Sequence, residues 1–110
     1  MPEHLNQNGF LFGGYLLKWV DEYAWIGASL DYQGCTFVTR GLDKVEFKKT
    51  VRQGTILKFI ITKIKAGTTS VQYDVKVFRG KDQTNENDLI FSTGITFVNI
   101  DKHGNKVILP

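Results

Sequence analysis

The chain is poor in the residues that support several common kinds of protein chemistry. Its 110 residues include one cysteine, two histidines, one methionine and two prolines. The single Cys35 excludes an internal disulfide framework, and we expect a buried thiol in a reducing compartment. His4 and His103 lie in terminal or turn segments, which argues against a histidine–aspartate pair carried on a helix. No cysteine or histidine cluster has metal-ligand spacing, so we expect no metal.

Signals for membranes and nucleic acids are also weak. The start, Met1-Pro-Glu-His, is polar, and no apolar run approaches ~18 residues, so we expect neither a signal peptide nor a membrane span. Cytoplasm is the default location. The net charge of +3 is mild and scattered. It permits an anionic ligand but falls short of the basic, aromatic-lined face of a nucleic-acid-binding domain.

The length suits one domain, residues 1–110, with an ordinary apolar content of 42%. The spacing of apolar residues predicts an amphipathic helix over Gly13–Ser29, after a loop over residues 1–12 that is rich in turn formers. The apolar arc of this helix consists of Leu16, Leu17, Val20, Tyr23, Ala24, Gly27 and Ala28. Asp21 falls on the edge of that arc. A carboxylate there pays a desolvation cost, which favours a functional role over a helix ion pair with Lys18.

Four extended segments follow the helix: Thr36–Lys48, Ile56–Lys65, Thr69–Arg79 and Leu89–Ile100. The first has an irregularity near Arg40–Gly41, and the third alternates as a half-exposed antiparallel strand does. Together with the helix they predict an α+β fold in which a curved antiparallel sheet wraps a central helix. Because Ile56–Ile64 is apolar on both faces, we expect the second face of the sheet to meet another subunit, in an oligomer.

Gly13 and Gly14 open the predicted helix. Glycine pairs often only make room, but a bare helix terminus also offers free N–H groups to a carbonyl oxygen that gains negative charge. Gly13 and Asp21 are eight residues apart, which is about 12 Å along a helix. One small carbonyl cannot contact both. If both act on one substrate, the aspartate comes from an antiparallel second copy, which predicts a site at a dimer interface.

Two further polar features have a functional and a plain interpretation. Asn6 could bind a water or a carbonyl, although alone it is more simply a turn residue. Lys65-Ala-Gly67-Thr68-Thr69-Ser70 is more simply a hairpin than a phosphate-contacting turn. Trp19, Trp25 and the phenylalanines are core residues or line an acyl pocket.

The opening of the chain resembles a known family. Asn6-Gln-Asn-Gly9-Phe-Leu-Phe12-Gly13-Gly14, followed by a helix with Asp21, is similar to the N-x-x-G-x-x-F-G-G pattern of hotdog-fold acyl-CoA thioesterases of the YciA and cytosolic acyl-CoA hydrolase type. The resemblance continues through Leu42-Asp43-Lys-Val-Glu-Phe47 and Val51-Arg-Gln-Gly54. It extends to the turn at 65–70 and the tail from Phe97 to Gly104, so it covers nearly the whole chain.

This resemblance implies a hotdog fold and a role for each matched residue. Asp21 is the expected catalytic carboxylate, as a nucleophile or as the general base for water. Gly13, and with it Gly14, is the expected helix-terminal N–H donor to the thioester carbonyl. Asn6 is the expected catalytic asparagine, which in the family works with the aspartate of the partner subunit. Lys65, Gly67, Thr68, Thr69 and Ser70 are expected to contact coenzyme A, which belongs to the substrate, so no separate cofactor is expected.

The chain departs from the family pattern in three places. It begins at the Met-Pro motif, where the family usually has an earlier first strand. Thr50 and Thr55 replace a frequent proline and a frequent aspartate. These departures bear on sheet edges and oligomer details, and whether a first strand is missing stays open.

The expected function is therefore hydrolysis of acyl-CoA to a free acid and coenzyme A in lipid metabolism, by a homodimer that assembles further into a tetramer or hexamer. A non-catalytic hotdog module that binds acyl-CoA is the main alternative. A small nucleic-acid-binding β domain is a third interpretation. The sequence leaves open the acyl chain length and the choice between nucleophilic and general-base catalysis.

Overall fold

The molecule is a helix lying across one antiparallel sheet. A computed structural model describes residues 2–48, 56–80 and 88–110, with side chains from residue 14 onward. In these ranges the elements are α1 (Pro2–Asp31), β1 (Phe37–Phe47), β2 (Leu57–Ala66), β3 (Ser70–Arg79) and β4 (Leu89–Asn99). The sheet has the order β1-β4-β3-β2, and every neighbouring pair is antiparallel. The predicted α+β architecture is confirmed.

The core lies between α1 and the sheet face that it covers. Leu16, Val20, Ala24 and Ala28 are fully buried, and their spacing of four residues forms one stripe along the helix. The sheet contributes alternate residues of its central strands, including Val71, Tyr73, Val75, Val77, Phe91, Ile95 and Phe97. The helix lies against β2 at Gly27, where an added Cβ would be 3.8 Å from Ile61 Cγ2, an ordinary van der Waals distance.

The predicted helix start at Gly13, after a loop over residues 1–12, is wrong. Helix α1 already begins at Pro2 and is 30 residues long. Proline fits the first helical position because its missing N–H has no intrahelical partner there. No other proline occurs before Pro110, and each glycine costs a helix only about 1 kcal/mol relative to alanine. Turn-forming composition alone therefore did not interrupt the helix.

The strands agree with the predicted segments to within one residue at each described end. The predicted irregularity is confirmed as a register shift between Thr39 and Gly41. A second shift, between Asp43 and Glu46, accompanies the left-handed Lys44 at φ 50° and was not predicted. The Val51–Gly54 segment, where the sequence resembles the family pattern, lies outside the described residues, as do residues 81–87 between β3 and β4.

The prediction that both faces of β2 are covered does not hold within one chain. Residues 57–61 are half-buried and residues 62–66 are exposed. Ile56 and Ile64 keep more than half of their surface open to solvent. Within the described ranges, no helical stretch combines the length and the apolarity needed to cross a membrane. The cytoplasmic location and the single domain over residues 1–110 stay predictions.

Candidate active site at the start of β1

Asp21 lies where α1 meets the first residues of β1. The carboxylate is half-buried, as its position on the edge of the apolar arc predicted. Thr39 Oγ1 donates a hydrogen bond of 2.6 Å to Asp21 Oδ1. Asp21 Oδ2 has no hydrogen bond to any part of the chain that the structure describes. One carboxylate oxygen is therefore fixed by the sheet, and the other is available to a water or a substrate.

The start of β1 is itself held against the helix. Trp25 Nε1, one helical turn after Asp21, donates a hydrogen bond of 3.1 Å to the carbonyl oxygen of Phe37. The buried Phe37 ring also packs edge-on against Tyr32, with ring centroids 5.8 Å apart. Because Thr39 follows Phe37 on the same face of the strand, these contacts bring its hydroxyl to Asp21.

An open pocket of about 300 Å³ surrounds this carboxylate. Its lining combines two acidic residues and a hydroxyl with three apolar residues: Asp21, Glu22, Thr39, Trp25, Ile26 and Phe37. Trp25 and Ile26 each expose nearly half of their surface. An ionisable group at the edge of an apolar pocket is a usual arrangement for a catalytic base or nucleophile.

The plain interpretation of Asp21 as a helix ion pair is not supported. Among the residues whose side chains are described, Lys18 forms no ion pair with Asp21 or with Glu22 within 4.0 Å. The carboxylate therefore makes its contact with the sheet rather than with its own helix. Within the same residues, no group of three or more His, Cys, Asp or Glu side chains could hold a metal ion.

Asn6, Gly13 and Gly14 all lie within α1, which corrects the predicted bare terminus at Gly13. Inside an α-helix each N–H bonds the carbonyl four residues earlier, so the Gly13 amide is not a free donor here. The rise of the helix separates Asn6 from Asp21 by about 22 Å and Gly13 from Asp21 by about 12 Å. The Asn6 side chain lies outside the described part. A Cβ on Gly14 would meet nothing within 4 Å, so packing within the chain does not require glycine there.

The segment Lys65–Ser70 forms the predicted hairpin between β2 and β3. Gly67 N–H donates to the carbonyl oxygen of Ser70 at 2.7 Å, and Lys65 and Thr68 are exposed. Ser70 pairs with Val98, which in turn pairs with Val38 next to Thr39. The turn therefore lies at the same end of the sheet as the pocket. Two strand spacings, about 10 Å, separate them across the sheet.

Sequence reasoning missed Thr39. The available signal was a hydroxyl two residues after the bulky Phe37, which puts both side chains on one face of a strand. The pattern did not indicate how β1 aligns with α1, and that alignment decides which hydroxyl faces Asp21. Trp25, predicted as core or pocket lining, lies at the pocket.

Comparison with known proteins agrees with this fold. Residues 8–86 match the thioesterase superfamily. An uncharacterized acyl-CoA thioester hydrolase of Bacillus subtilis is 33% identical over 99% of this chain. The aligned part spans 63% of the length of that relative.

Two solved proteins share the architecture. A hexameric thioesterase of Yersinia pestis superposes with a TM-score of 0.78 at 28% identity, over 90% of this chain and 79% of that one. An acyl-CoA hydrolase of Staphylococcus aureus, solved with butyryl coenzyme A and coenzyme A, superposes with a TM-score of 0.70 at 31% identity, over 89% of this chain and 57% of that one. Other solved forms of that hydrolase carry alanine in place of an asparagine, an aspartate or a threonine. The family match and the shared architecture together show that the chain belongs to the thioesterase superfamily and has its hotdog fold.

Proposed function

We propose that this protein hydrolyses acyl-CoA thioesters to free acids and coenzyme A, at a site formed between two copies of the chain. The observation that carries the proposal is the Asp21 carboxylate, held by Thr39 at the mouth of an open apolar pocket. The Bacillus and Staphylococcus relatives, named as acyl-CoA hydrolases, support the substrate class.

Asp21 is the catalytic carboxylate in this proposal. It either takes a proton from the attacking water or attacks the thioester carbon itself. The Thr39 bond fixes Oδ1 and leaves Oδ2 to act, so the carboxylate is oriented before the substrate arrives. Thr39 is a positioning residue. The apolar side chains of Trp25, Ile26 and Phe37 provide a surface for an acyl chain.

Asn6 completes the site from the other subunit. It is fifteen residues before Asp21, the same spacing as between the asparagine and the aspartate replaced in the Staphylococcus hydrolase. Gly13 and Asp21 lie about 12 Å apart along the helix, so one thioester carbonyl can meet both only if they come from different chains, and Asn6 precedes Gly13 on its own chain. The exposed apolar residues of α1 and β1, among them Trp25, Ile26, Leu42 and Phe47, suit burial against a second copy. The Yersinia thioesterase is hexameric, which supports further assembly of such dimers.

Gly13 is the proposed oxyanion donor, with Gly14 beside it. Donation requires the residues before Gly13 to leave the helix, so that its N–H no longer bonds the preceding turn. The two glycines lower the cost of ending the helix there, because a glycine stabilises a helix less than an alanine does, by about 1 kcal/mol. The open space beside Gly14 would admit a substrate carbonyl.

The turn at Lys65–Ser70 binds coenzyme A in this proposal. Its lysine ammonium and its hydroxyls can donate hydrogen bonds to phosphate oxygens. The exposure of the turn and its place at the pocket end of the sheet support this assignment. Lys65, Gly67, Thr68, Thr69 and Ser70 form this binding set.

Thiol release from a series of acyl-CoA substrates tests the proposal. Replacing Asp21 with asparagine should lower kcat by about 10²–10⁴, the range for losing a positioned acid–base group, while coenzyme A binding and the fold are kept. The matched control is Asp74→Asn, on the outer face of β3, with activity close to wild type. Normal hydrolysis by the Asp21→Asn variant contradicts the assignment. A single turnover in ¹⁸O-water places label inside Asp21 only if the residue is the nucleophile.

The position of Gly13 inside α1 favours one alternative, an acyl-CoA-binding module that does not turn over. Such a module binds acyl-CoA and releases no thiol at any chain length. The same assay, paired with binding measurements on the wild type, separates the two functions.

A further inference from the structure

The carboxyl-terminal residues run beside the turn between β2 and β3. Leu109 N–H donates a hydrogen bond of 2.8 Å to the carbonyl oxygen of Thr68. The backbone N–H of the buried Asn99 donates at 2.9 Å to the next carbonyl, that of Thr69. Asn99 is bonded to the tail as well, because its own carbonyl accepts from Val107 N–H at 2.9 Å. Two successive carbonyls of the turn are thus held from one side.

The tail reaches this position through a tight reversal after β4. Asp101 Oδ1 accepts hydrogen bonds from the backbone N–H groups of His103 and Asn105, at 2.8 and 2.9 Å. A bridge between Ile100 and Lys106 closes the reversal. Leu109 then packs its half-buried side chain against the core, which fixes the end of the segment.

Holding these carbonyls also sets the direction of an N–H group. In a planar trans peptide the C=O and the following N–H point to opposite sides. Since the Thr68 carbonyl points at the tail, the Thr69 N–H points away from it. Such outward backbone N–H groups in a turn bind phosphate oxygens.

We propose that residues 107–109 are a clamp that presets the 67–70 turn for the phosphate groups of coenzyme A, with Leu109 as its positioning residue. This inference rests on the proposed function, because the turn matters only if the chain binds coenzyme A. The clamp acts on binding and is remote from the reacting carbonyl. It therefore predicts a change in KM and in the Kd of coenzyme A rather than in kcat.

A proline substitution tests the clamp because it removes the donor N–H. Leu109→Pro should raise the Kd of coenzyme A, measured by calorimetry on the full chain, and the KM for acyl-CoA by roughly three- to tenfold, as expected for one lost hydrogen bond. The kcat should stay within about twofold. Ile108→Pro is the matched control, since Ile108 N–H has no bond to the described residues and its side chain is exposed. Leu109→Ala keeps the N–H and reports the effect of lost packing alone.

Each outcome separates the two proposals. An increase in Kd with Leu109→Pro, but not with Ile108→Pro or Leu109→Ala, supports the clamp. Equal Kd values for wild type and Leu109→Pro overturn the clamp and leave the proposed function standing. Wild type that binds no coenzyme A overturns both. If Leu109→Pro unfolds, ending the chain after Ile108 removes the same donor, and the same comparison of Kd decides.

Discussion

The central strands and the edge strand β1 differ sharply in how they are covered. Strand β4 is buried along most of its length, and β3 buries every second residue against the helix. In β1 only Phe37 is buried, although the strand is as long as β4, and two register shifts interrupt its pairing. The Thr39 hydroxyl that holds Asp21 lies on this poorly covered strand.

This difference separates stability from chemistry. Buried apolar residues of β3 and β4 contribute the hydrophobic stabilisation, typically about 1.5–3 kcal/mol for each large side chain. Strand β1 leaves an edge and an apolar surface open, where a second chain and a substrate can bind. We therefore expect substitutions in the centre to change the free energy of unfolding, and substitutions at the start of β1 to change activity.

The largest expected effect on stability comes from the centre of the sheet. Ile95 is fully buried between Leu42 of β1 and Tyr73 of β3. Ile95→Ala should lower the free energy of unfolding by about 2–5 kcal/mol, because it removes apolar contacts and leaves a cavity. Urea titration measures the change. The control Lys76→Ala, on the exposed side of β3, should stay within about 0.5 kcal/mol of wild type. A loss below 1 kcal/mol for Ile95→Ala would remove the distinction between the strands.

At the edge we expect the opposite result. Thr39→Val keeps the shape of the side chain and the β-branch but removes the donor to Asp21 Oδ1. The kcat should fall roughly tenfold with KM little changed, and stability should change by less than about 1 kcal/mol. Thr39→Ser, which retains the hydroxyl, should recover most of the loss. Thr62→Val on β2 is the control, because the Thr62 hydroxyl is exposed and makes no hydrogen bond within the described residues. A change in KM alone would argue against a positioning role.

The smallest expected effect concerns how the helix end is attached to the centre, at Tyr73. Its hydroxyl donates to Asp31 Oδ2 at 2.8 Å, and burial followed by this bond raises the pKa of Tyr73 well above its ordinary 10.0. As the pH rises, the Tyr73 hydroxyl loses its proton at a lower pH in the unfolded chain than in the folded one. The stability that the protonated hydroxyl contributes is therefore present below pH 10 and is lost as the pH rises further. Tyr73→Phe should lower the free energy of unfolding by about 1 kcal/mol at neutral pH, and the variant should lose less stability than wild type above pH 10. Thermal unfolding between pH 7 and 11 checks both effects, and an unchanged alkaline loss would exclude Tyr73 as its source.

Much of the fold was predictable because period and composition determine it locally. The alternation of Val71, Tyr73 and Val75 indicated a strand with one buried face, and the structure has it. The apolar arc of the predicted helix included Leu16, Val20, Ala24 and Ala28, and all four are fully buried in the core. The start of α1 was predicted wrongly because turn-forming residues tolerate a helix when nothing else interrupts it.

The site was predictable only where one residue carries the signal. The position of Asp21 at the edge of the apolar arc was visible in the helical pattern alone. The Thr39 bond depends on how β1 aligns with α1, which is a tertiary contact with no period of its own. The clamp on the turn depends on backbone hydrogen bonds from residues distant in the sequence to Thr68 and Thr69. Backbone bonds do not depend on side-chain type, so the sequence could not predict them.

The central claim is that each active site takes Asp21 from one chain and Asn6 from another. Mixing two inactive variants, Asp21→Asn and Asn6→Ala, under conditions that allow subunit exchange tests it directly. Half of the dimers then combine the two variants, and each of these has one intact site, so thiol release should recover to about a quarter of the wild-type rate. Mixed dimers, verified by native mass spectrometry, that release no thiol would contradict the account.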